Sequence, residues 1–396
     1  MSKQNVPALR LEGFSGEWED CTLGEHSHVT TGSSDVQDAD PDGLYPFFVR
    51  SQHVERSNKY LFDGEAILIP GEGRLGEIFH YYIGKFDFHQ RVYRISDFED
   101  IDGKYVYWAM QHSFKDHAMQ NTVKATVDSL RQPTITGFIF QKPPTLEEQQ
   151  AIGAIFTNLD AAINQHMLKH KALQQSKTAL MQRMFPQEGQ TVPELRLEGF
   201  SGEWGSAPLQ QLASLFTDGD WIESKDQSTE GIRLLQTGNV GIGTFVQKSA
   251  TQKWISEETF KRLRCQEVLP GDILISRLPD PAGRACIVPM MPYRLITAVD
   301  CTIVRLSEEN DADYLVAYLG NPSYFEHIDT LLAGGTRQRV SRSQLAAIEV
   351  PVPPTLEEQQ AIGAVFTNLD QLIAAEAQYI ASLKQAKTAL LQRMFI

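Results

Sequence analysis

Cysteine is scarce in this chain of 396 residues: Cys21, Cys265, Cys286 and Cys301 are the four, and no C-x-x-C occurs among them. That scatter speaks against a zinc site and a disulfide framework, so buried free thiols are expected. Long apolar runs are missing too, which excludes a membrane-spanning helix, and the opening MSKQNVPALRLEGF lacks the charged-then-apolar order of a signal peptide. A cytoplasmic protein is the expectation. Positive charge is in deficit, with 36 Lys and Arg against 50 Asp and Glu and a net charge of −14. Taken alone, that balance argues against a partner as anionic as nucleic acid. Its distribution leaves the matter open: residues 19–142 hold 12 basic against 19 acidic side chains, 205–352 hold 14 against 18, and 143–186 hold 4 against 3. No P-loop, H-E-x-x-H or Ser–His–Asp order occurs, so no active site is visible.

What the chain does have is a stretch written twice. PPTLEEQQAIGAIFTNLD at 143–160 returns as PPTLEEQQAIGAVFTNLD at 353–370, with Ile155 replaced by Val365 as the single change. KTALMQRMF at 177–185 returns as KTALLQRMF at 387–395, and VPALRLEGFSGEW at 6–18 as VPELRLEGFSGEW at 192–204. The chain is therefore two similar units with unlike inserts.

Thr145 with Glu148, and Thr355 with Glu358, form T-x-x-E capping boxes directly after paired prolines, a strong helix-start signal. Apolar residues then recur at helical spacing: Ile152, Ile155, Phe156, Leu159, Ile163, Met167, Leu173, Leu180 and Met184 in the first copy, until Pro186. The second stripe runs through Ile362, Val365, Phe366, Leu369, Ile373, Ile380, Leu383, Leu390 and Met394. Roughly 40 residues at about 1.5 Å each give a helix of about 60 Å. Two such seams are expected to pack on each other as a coiled-coil-like pair. Gly153 and Gly363 sit inside these helices at a propensity cost of about 1 kcal/mol, which implies a close neighbour there.

The inserts read as mixed α and β. Residues 44–49, 65–69, 77–83 and 138–140 are strand-like in the first, and 104–117 has helical spacing. In the second, 234–240, 272–276, 285–288, 301–306 and 347–352 read as strands and turns, and 314–319 as a helix. His53-Val54 falls where Asn239-Val240 falls, Gly64-Glu65 where Gly271-Asp272 falls, and 122–130 where 336–345 lies, so the same fold with a different surface is expected twice.

Several short motifs have bland readings. GEGRLG at 71–76 satisfies G-x-G-x-x-G, but the β-like IFHYYIGKF that follows supplies no helix to hold a pyrophosphate, so a turn is the better reading. NPSY at 321–324 is read as a helix-ending turn, since no S-adenosylmethionine motif precedes it. His166 and His170 stand i, i+4 without a third ligand, and the second copy has Glu376 and Ile380 there. More suggestive are polar groups suited to duplex DNA. Thr336, Arg337, Gln338, Arg339, Ser341 and Arg342 gather guanidinium groups and hydroxyls on a Gly-rich loop. Arg50, Ser51, Gln52 and His53 in the first insert, and Gln236, Thr237 and Asn239 in the second, follow a strand; Gln and Asn suit adenine, Arg suits guanine. Arg74, Thr122, Lys124, Arg277 and Arg284 complete the DNA-binding candidates.

The order of variable insert, PPTLEEQQAIGAIFTNLD helix, variable insert, PPTLEEQQAIGAVFTNLD helix, with LLQTGNV, LPGDILISR and the GGTRQRVS loop before IEVPVPP, resembles the specificity (S) subunit of type I restriction–modification systems over essentially the full length. The resemblance implies an α+β fold with two pseudo-two-fold-related target recognition domains separated by two long antiparallel coiled-coil-like helices. It divides the chain into 1–142 (arm and first domain), 143–186 (first helix), 187–352 (linker and second domain) and 353–396 (second helix). Each domain is implied to read one half of a bipartite duplex DNA site. The helices act as the ruler and as the dock for two copies of a modification subunit, with Glu147, Gln150, Phe156, Asn158 and Glu357, Gln360, Phe366, Asn368 as the docking candidates. No cofactor is implied on this chain: S-adenosylmethionine belongs to the modification subunits, which methylate adenine N6, and ATP and Mg to a restriction subunit joined through them. The late loop QNTVKATVDSL departs from the pattern, lacking the glycines and arginines of its counterpart.

The residues support this independently. Two nearly identical surfaces suit two copies of one partner, and two unlike domains suit an asymmetric target. Because the linker after Phe185 leads into a copy of the N-terminal arm, the start and end of the chain are expected to be neighbours, closing a circular pseudo-two-fold. The acidic balance favours one alternative, a non-catalytic scaffold whose two α+β domains grip protein partners. A self-contained enzyme is the third class, and it lacks a visible site.

Overall fold

The computed structural model describes residues 5–121, 129–279, 281–334 and 338–396. The chain divides into two compact units, Met1–Leu168 with Gln378–Ile396, and Lys169–Ala377. The first unit holds β1 (Glu19–Thr22), β2 (His28–Thr31), β3 (Tyr45–Phe48), β4 (Val54–Ser57), β5 (Phe62–Pro70), β6 (His80–Phe88), β7 (Val92–Ser96), α1 (Gly103–Asn121), α2 (Gln132–Thr136) and β8 (Ile139–Lys142). Helix α3 (Leu146–Arg183) begins in the first unit and ends in the second. The second unit continues with β9 (Gly205–Pro208), β10 (Ala213–Asp218), β11 (Gln227–Ser228), β12 (Ile232–Leu235), β13 (Lys253–Ile255), α4 (Glu257–Leu263), β14 (Ile273–Ser276), β15 (Ala285–Ile287), β16 (Leu295–Thr297), β17 (Cys301–Leu306), α5 (Ala312–Tyr318), α6 (Pro322–Leu331), α7 (Arg342–Ala346) and β18 (Glu349–Val352). Helix α8 (Leu356–Met394) begins in the second unit and ends in the first. At 38 and 39 residues the two helices are each about 57–59 Å long.

The expected α+β inserts are present, and their sheets share one strand order with two differences, a split strand and an added one. In the first domain six strands run β2-β7-β5-β6-β3-β4. In the second, β10-β17-β14-β15 repeats the first four places and β16-β12-β13 the last, with β11 added. The nine-residue β6 pairs antiparallel with β5 and parallel with β3. Its two roles pass to β15, on β14, and β16, parallel to β12. Pro289 and Pro292 lie between β15 and β16, and a proline cannot donate to a ladder, so one continuous strand cannot form there. The segment 77–79, read as strand, belongs to a turn and the coil after it, and LLQTGNV leaves its strand at Leu235 for a short 3-10 turn at Thr237–Asn239.

Each unit packs the start of one long helix antiparallel to the end of the other. In the first, Phe156 meets Phe395 with ring centroids 5.7 Å apart and Lys387 Nζ reaches Asp160 at 2.6 Å. In the second, Phe366 stacks on Phe185 at 5.8 Å and Lys177 pairs with Asp370. Along the stripes Ile152, Ile163, Ile362 and Ile380 are buried, whereas Met167 stays 46% exposed. The arm closes each unit by the same bond: Leu9 N–H donates to the Arg393 carbonyl and Leu195 N–H to the Arg183 carbonyl, both at 2.8 Å. Start and end of the chain are neighbours, as the duplicated arm predicts.

The capping boxes form only by half. Thr145 Oγ1 accepts from Glu148 N–H at 3.3 Å, and Thr355 Oγ1 likewise from Glu358. Neither glutamate reaches back. Each is 1% exposed and bound at both oxygens by an arginine of the arm, Glu148 by Arg10 and Glu358 by Arg196, with every contact at 2.8 Å. Each arginine also donates to two loop carbonyls of its own arm, Ser15 and Gly16 or Ser201 and Gly202.

The helix glycines have the close neighbours their cost implied. A Cβ on Gly363 would stand 2.7 Å from Asp311 Oδ1 and 2.8 Å from Asp313 Cβ and Tyr314 N, where Asp311 caps α5. On Gly153 the nearest atom is Lys104 Cβ at 3.0 Å. Gly363→Ala is therefore predicted to destabilise its unit by about 1–3 kcal/mol despite better helix propensity, and Gly153→Ala by less than about 1 kcal/mol. Urea unfolding of the two variants, compared at equal slope, checks this.

Candidate nucleic-acid interface

Among the described residues no group of three or more His, Cys, Asp or Glu could hold a metal ion, and no helix is long and apolar enough to cross a membrane. All four cysteines are free and buried; burial pushes Cys301 up to about 11 and Cys286 up to about 12, so neither is a thiolate at neutral pH. The GEGRLG segment is a turn without a following helix, and Asn321 caps the start of α6 while its Nδ2 donates to the Met181 carbonyl at 2.8 Å. NPSY thus joins two helices rather than ending one. The functional candidates are surface side chains.

In the first domain Arg50, Ser51, Gln52 and His53 follow β3 on an exposed bend. Ser51 Oγ donates to the His53 carbonyl at 3.0 Å, and the His80 ring contacts the Ser51 carbonyl at 3.1 Å. Burial lowers the affinity of His80 for a proton. Arg50 lies 3.4 Å from Glu72, which also binds Arg91. His89 is 3% exposed, and burial followed by the nearby Arg50 charge holds its pKa down, so its Nδ1 can accept the Arg91 N–H at 3.0 Å. Arg74 is exposed and pairs with Glu77, which in turn binds Lys115. Thr122 and Lys124 lie outside the described residues.

The second domain separates its candidates sharply. Arg339 and Arg342 are 59% and 51% exposed and lie at long ion-pair distances, 3.7 Å from Asp300 and 3.9 Å from Asp218. Gln338 is exposed beside them, and Ser341 is the N-cap of α7, held by Gln344. Thr336 and Arg337 lie outside the described residues. Gln236 and Thr237 are half-buried at the end of β12.

Three second-domain candidates are turned to structural work. Asn239 is 4% exposed, its Oδ1 accepting from Gln236 N–H and its Nδ2 donating to the Val246 carbonyl, both at 2.9 Å. Arg277 is 7% exposed; it donates to the Val299 carbonyl at 2.7 Å and pairs with Asp218 at 3.4 Å. Arg284 donates to five backbone carbonyls, those of Val240, Leu278, Pro279, Pro281 and Thr237, at 2.7–3.1 Å. A guanidinium committed to five carbonyls is held in place by the fold rather than presented to a phosphate or a base. Composition could not separate these from Arg339, because the difference lies in which turn folds over the side chain. Conversely, Glu72, Asp218 and Asp300 were missed although they bind the exposed arginines, and so was Arg91, which shares Glu72 with Arg50. The signal for them is pairing register, which no short motif carries.

Among the helix candidates Glu147, Gln150 and Asn158, and Glu357, Gln360 and Asn368, are exposed. Phe156 and Phe366 are not: at 0% and 2% exposure they fill the seam against Phe395 and Phe185. Their identity in both copies reflects packing. The exposed face of each helix start carries the same Glu, Gln, Ala and Asn, at 147, 150, 154, 158 and at 357, 360, 364, 368. Further along, exposed positions diverge, Ala161 against Gln371 and Asn164 against Ala374.

Comparison with known proteins bears on what these surfaces serve. A family model described as the type I restriction modification DNA specificity domain matches residues 15–173 and again 218–385. The type I restriction enzyme EcoDI specificity subunit of Escherichia coli is 21% identical over 366 residues, covering 88% of this chain and 80% of its own. The MjaVIII specificity subunit of Methanocaldococcus jannaschii is 21% identical over 394 residues, covering 94% and 90%. Among solved structures, the type I restriction–modification S subunit of M. genitalium superposes with a TM-score of 0.68 over 99% of both chains at 16% identity. A chain from a type I restriction–modification complex gives 0.53 over 97% of this chain and 99% of its own at 14%. At those identities the structures speak to fold alone.

The contrast between Arg284 and Arg339 is testable. Arg284→Ala is predicted to cost about 2–4 kcal/mol in denaturant unfolding, because five part-buried carbonyls lose their donor. Arg339→Ala and Arg342→Ala should leave unfolding within about 0.5 kcal/mol of the parent.

Proposed function

Because the chain belongs to the type I restriction–modification DNA specificity family, we propose that it is the non-catalytic subunit that reads a bipartite, asymmetric duplex DNA site, one α+β domain per half. The observation that carries this is the combination of two unlike domains with one repeated helical platform in a single chain. Unlike reading surfaces suit unlike half-sites; a repeated platform suits a repeated partner.

The partner in this reading is a modification subunit, bound twice. The twin faces Glu147, Gln150, Asn158 and Glu357, Gln360, Asn368 support it, since nothing in the packing of either unit demands identity at exposed positions. S-adenosylmethionine is then held by those subunits, adenine N6 is methylated there, and a restriction subunit using ATP and Mg joins through them. This chain contributes no catalytic group and works in the cytoplasm. An acidic chain can still read DNA if basic partners supply much of the phosphate attraction, which a net charge of −14 also invites.

Two measurements test the reading. Exchange of residues 19–142 for another such domain should change one half of the methylated sequence and leave the other; change in both halves or neither overturns it. Asn158→Arg or Asn368→Arg alone should leave one modification subunit bound per chain, and the double variant none, by native mass spectrometry. Two subunits retained by the double variant removes the twin faces from the dock.

A further inference from the structure

Two peptide hydrogen bonds recur in the two domains beneath side chains that differ. In the first, Gly71 N–H donates to the Arg91 carbonyl and Leu130 N–H to the Gly71 carbonyl, both at 2.8 Å. In the second, Arg277 N–H donates to the Asp300 carbonyl at 2.9 Å and Val340 N–H to the Arg277 carbonyl at 3.1 Å. Gly71 and Arg277 each follow the equivalent strands β5 and β14; Arg91 and Asp300 each precede β7 and β17; Leu130 and Val340 are buried just before α2 and α7. Leu130 is thus the counterpart of Val340 rather than of Leu345. One backbone frame of three segments is built twice.

On that frame the charges are placed differently. The turn before β7 carries Arg91, and the turn before β17 carries Asp300. The acidic partner of Arg91 is Glu72, next to Gly71; Asp300 has the exposed Arg339, next to Val340, at 3.7 Å and the buried Arg277 at 4.0 Å. Each frame therefore presents one guanidinium and one carboxylate in contact, with Arg91 55% and Arg339 59% exposed, but the donor and the acceptor have changed segments. An exposed ion pair contributes about 0–1 kcal/mol to stability, too little to explain its rebuilding from different segments. A guanidinium beside a carboxylate does match one target well. Arginine donates twice to guanine O6 and N7, and a carboxylate accepts from cytosine N4, the two edges of one G·C pair in the major groove.

We propose that this frame is the base-reading corner of each domain, Arg91 with Glu72 specifying a G·C pair in one half-site and Arg339 with Asp300 specifying one in the other. Arg50 beside Glu72 and Arg342 beside Asp218 flank the corners as phosphate contacts. The assignment rests on the DNA-specificity reading above.

The test uses the chain assembled with its modification subunits and a duplex library scored for methylation. Absence of any bipartite site for the parent complex sinks the specificity reading and this proposal with it. Given a site, Arg91→Ala should reduce discrimination at one G·C position of one half-site by about tenfold or more and leave the other half-site unchanged. Arg339→Ala should do the same in the other half. Glu72→Gln, which keeps the side chain's shape, should relax the same position as Arg91→Ala, whereas removal of a merely structural pair would not single out one base. Methylation of the parent sequence set by all three variants overturns the proposal. So does uniform weakening across sequences with a shallower salt dependence, which would make these arginines phosphate contacts.

Discussion

A carboxylate buried at the start of a long helix must be paired, and both units of this protein are arranged around that requirement. Glu148 and Glu358 are withdrawn from water and each takes both oxygens to one arginine. Removing one partner of such a pair costs about 3–5 kcal/mol, because the other charge is left without compensation. The pairing therefore fixes the arm on the helix. The next residue, Gln149 or Gln359, accepts from the backbone N–H of Asp102 or Asp311 and so fixes the helix on its domain. Behind them Tyr105 and Tyr314 donate to the carbonyls of Gln141 and Pro351, at the strand that enters each helix. Arm, helix and domain are locked at one point, twice, by the same residues.

The lock divides labour between backbone and side chain. What touches it is repeated almost unchanged; what lies beyond it is free to differ. The sheets keep one strand order while a pair of prolines splits one strand into two, and the polar corners keep one hydrogen-bonded frame while its charges stand on different segments. A scaffold that holds backbone constant lets side chains change without renegotiating the fold.

Much of this was legible in the sequence because it is written in local signals. The repeated PPTLEEQQAIGAIFTNLD block, the helical stripe and the helix glycines each carry their meaning within a few residues, and the helices, the pairing and the close contact at Gly363 followed. Glu148 was misjudged because a capping box and a buried ion pair share one motif, and Arg10, which decides between them, lies 138 residues away. Phe156 was misjudged because a repeated aromatic serves a seam and a dock equally well until Phe395 is placed. Arg277, Arg284 and Asn239 looked like reading groups because a polar residue after a strand projects outward unless a later turn covers it. The corner residues were hidden for the complementary reason: they meet only when three distant segments are hydrogen-bonded together.

The closure of the first unit by Arg393 and Phe395 has a consequence for biosynthesis. Asp160 waits for Lys387, 227 residues further along the chain, and the aromatic socket of Tyr105 and Phe156 waits for Phe395. The second unit takes all its parts from one continuous run, Lys169–Ala377. On a ribosome that delivers residues in order, the later unit can close its core first, while the earlier domain stands with an open aromatic pocket until Lys387 and Phe395 have emerged.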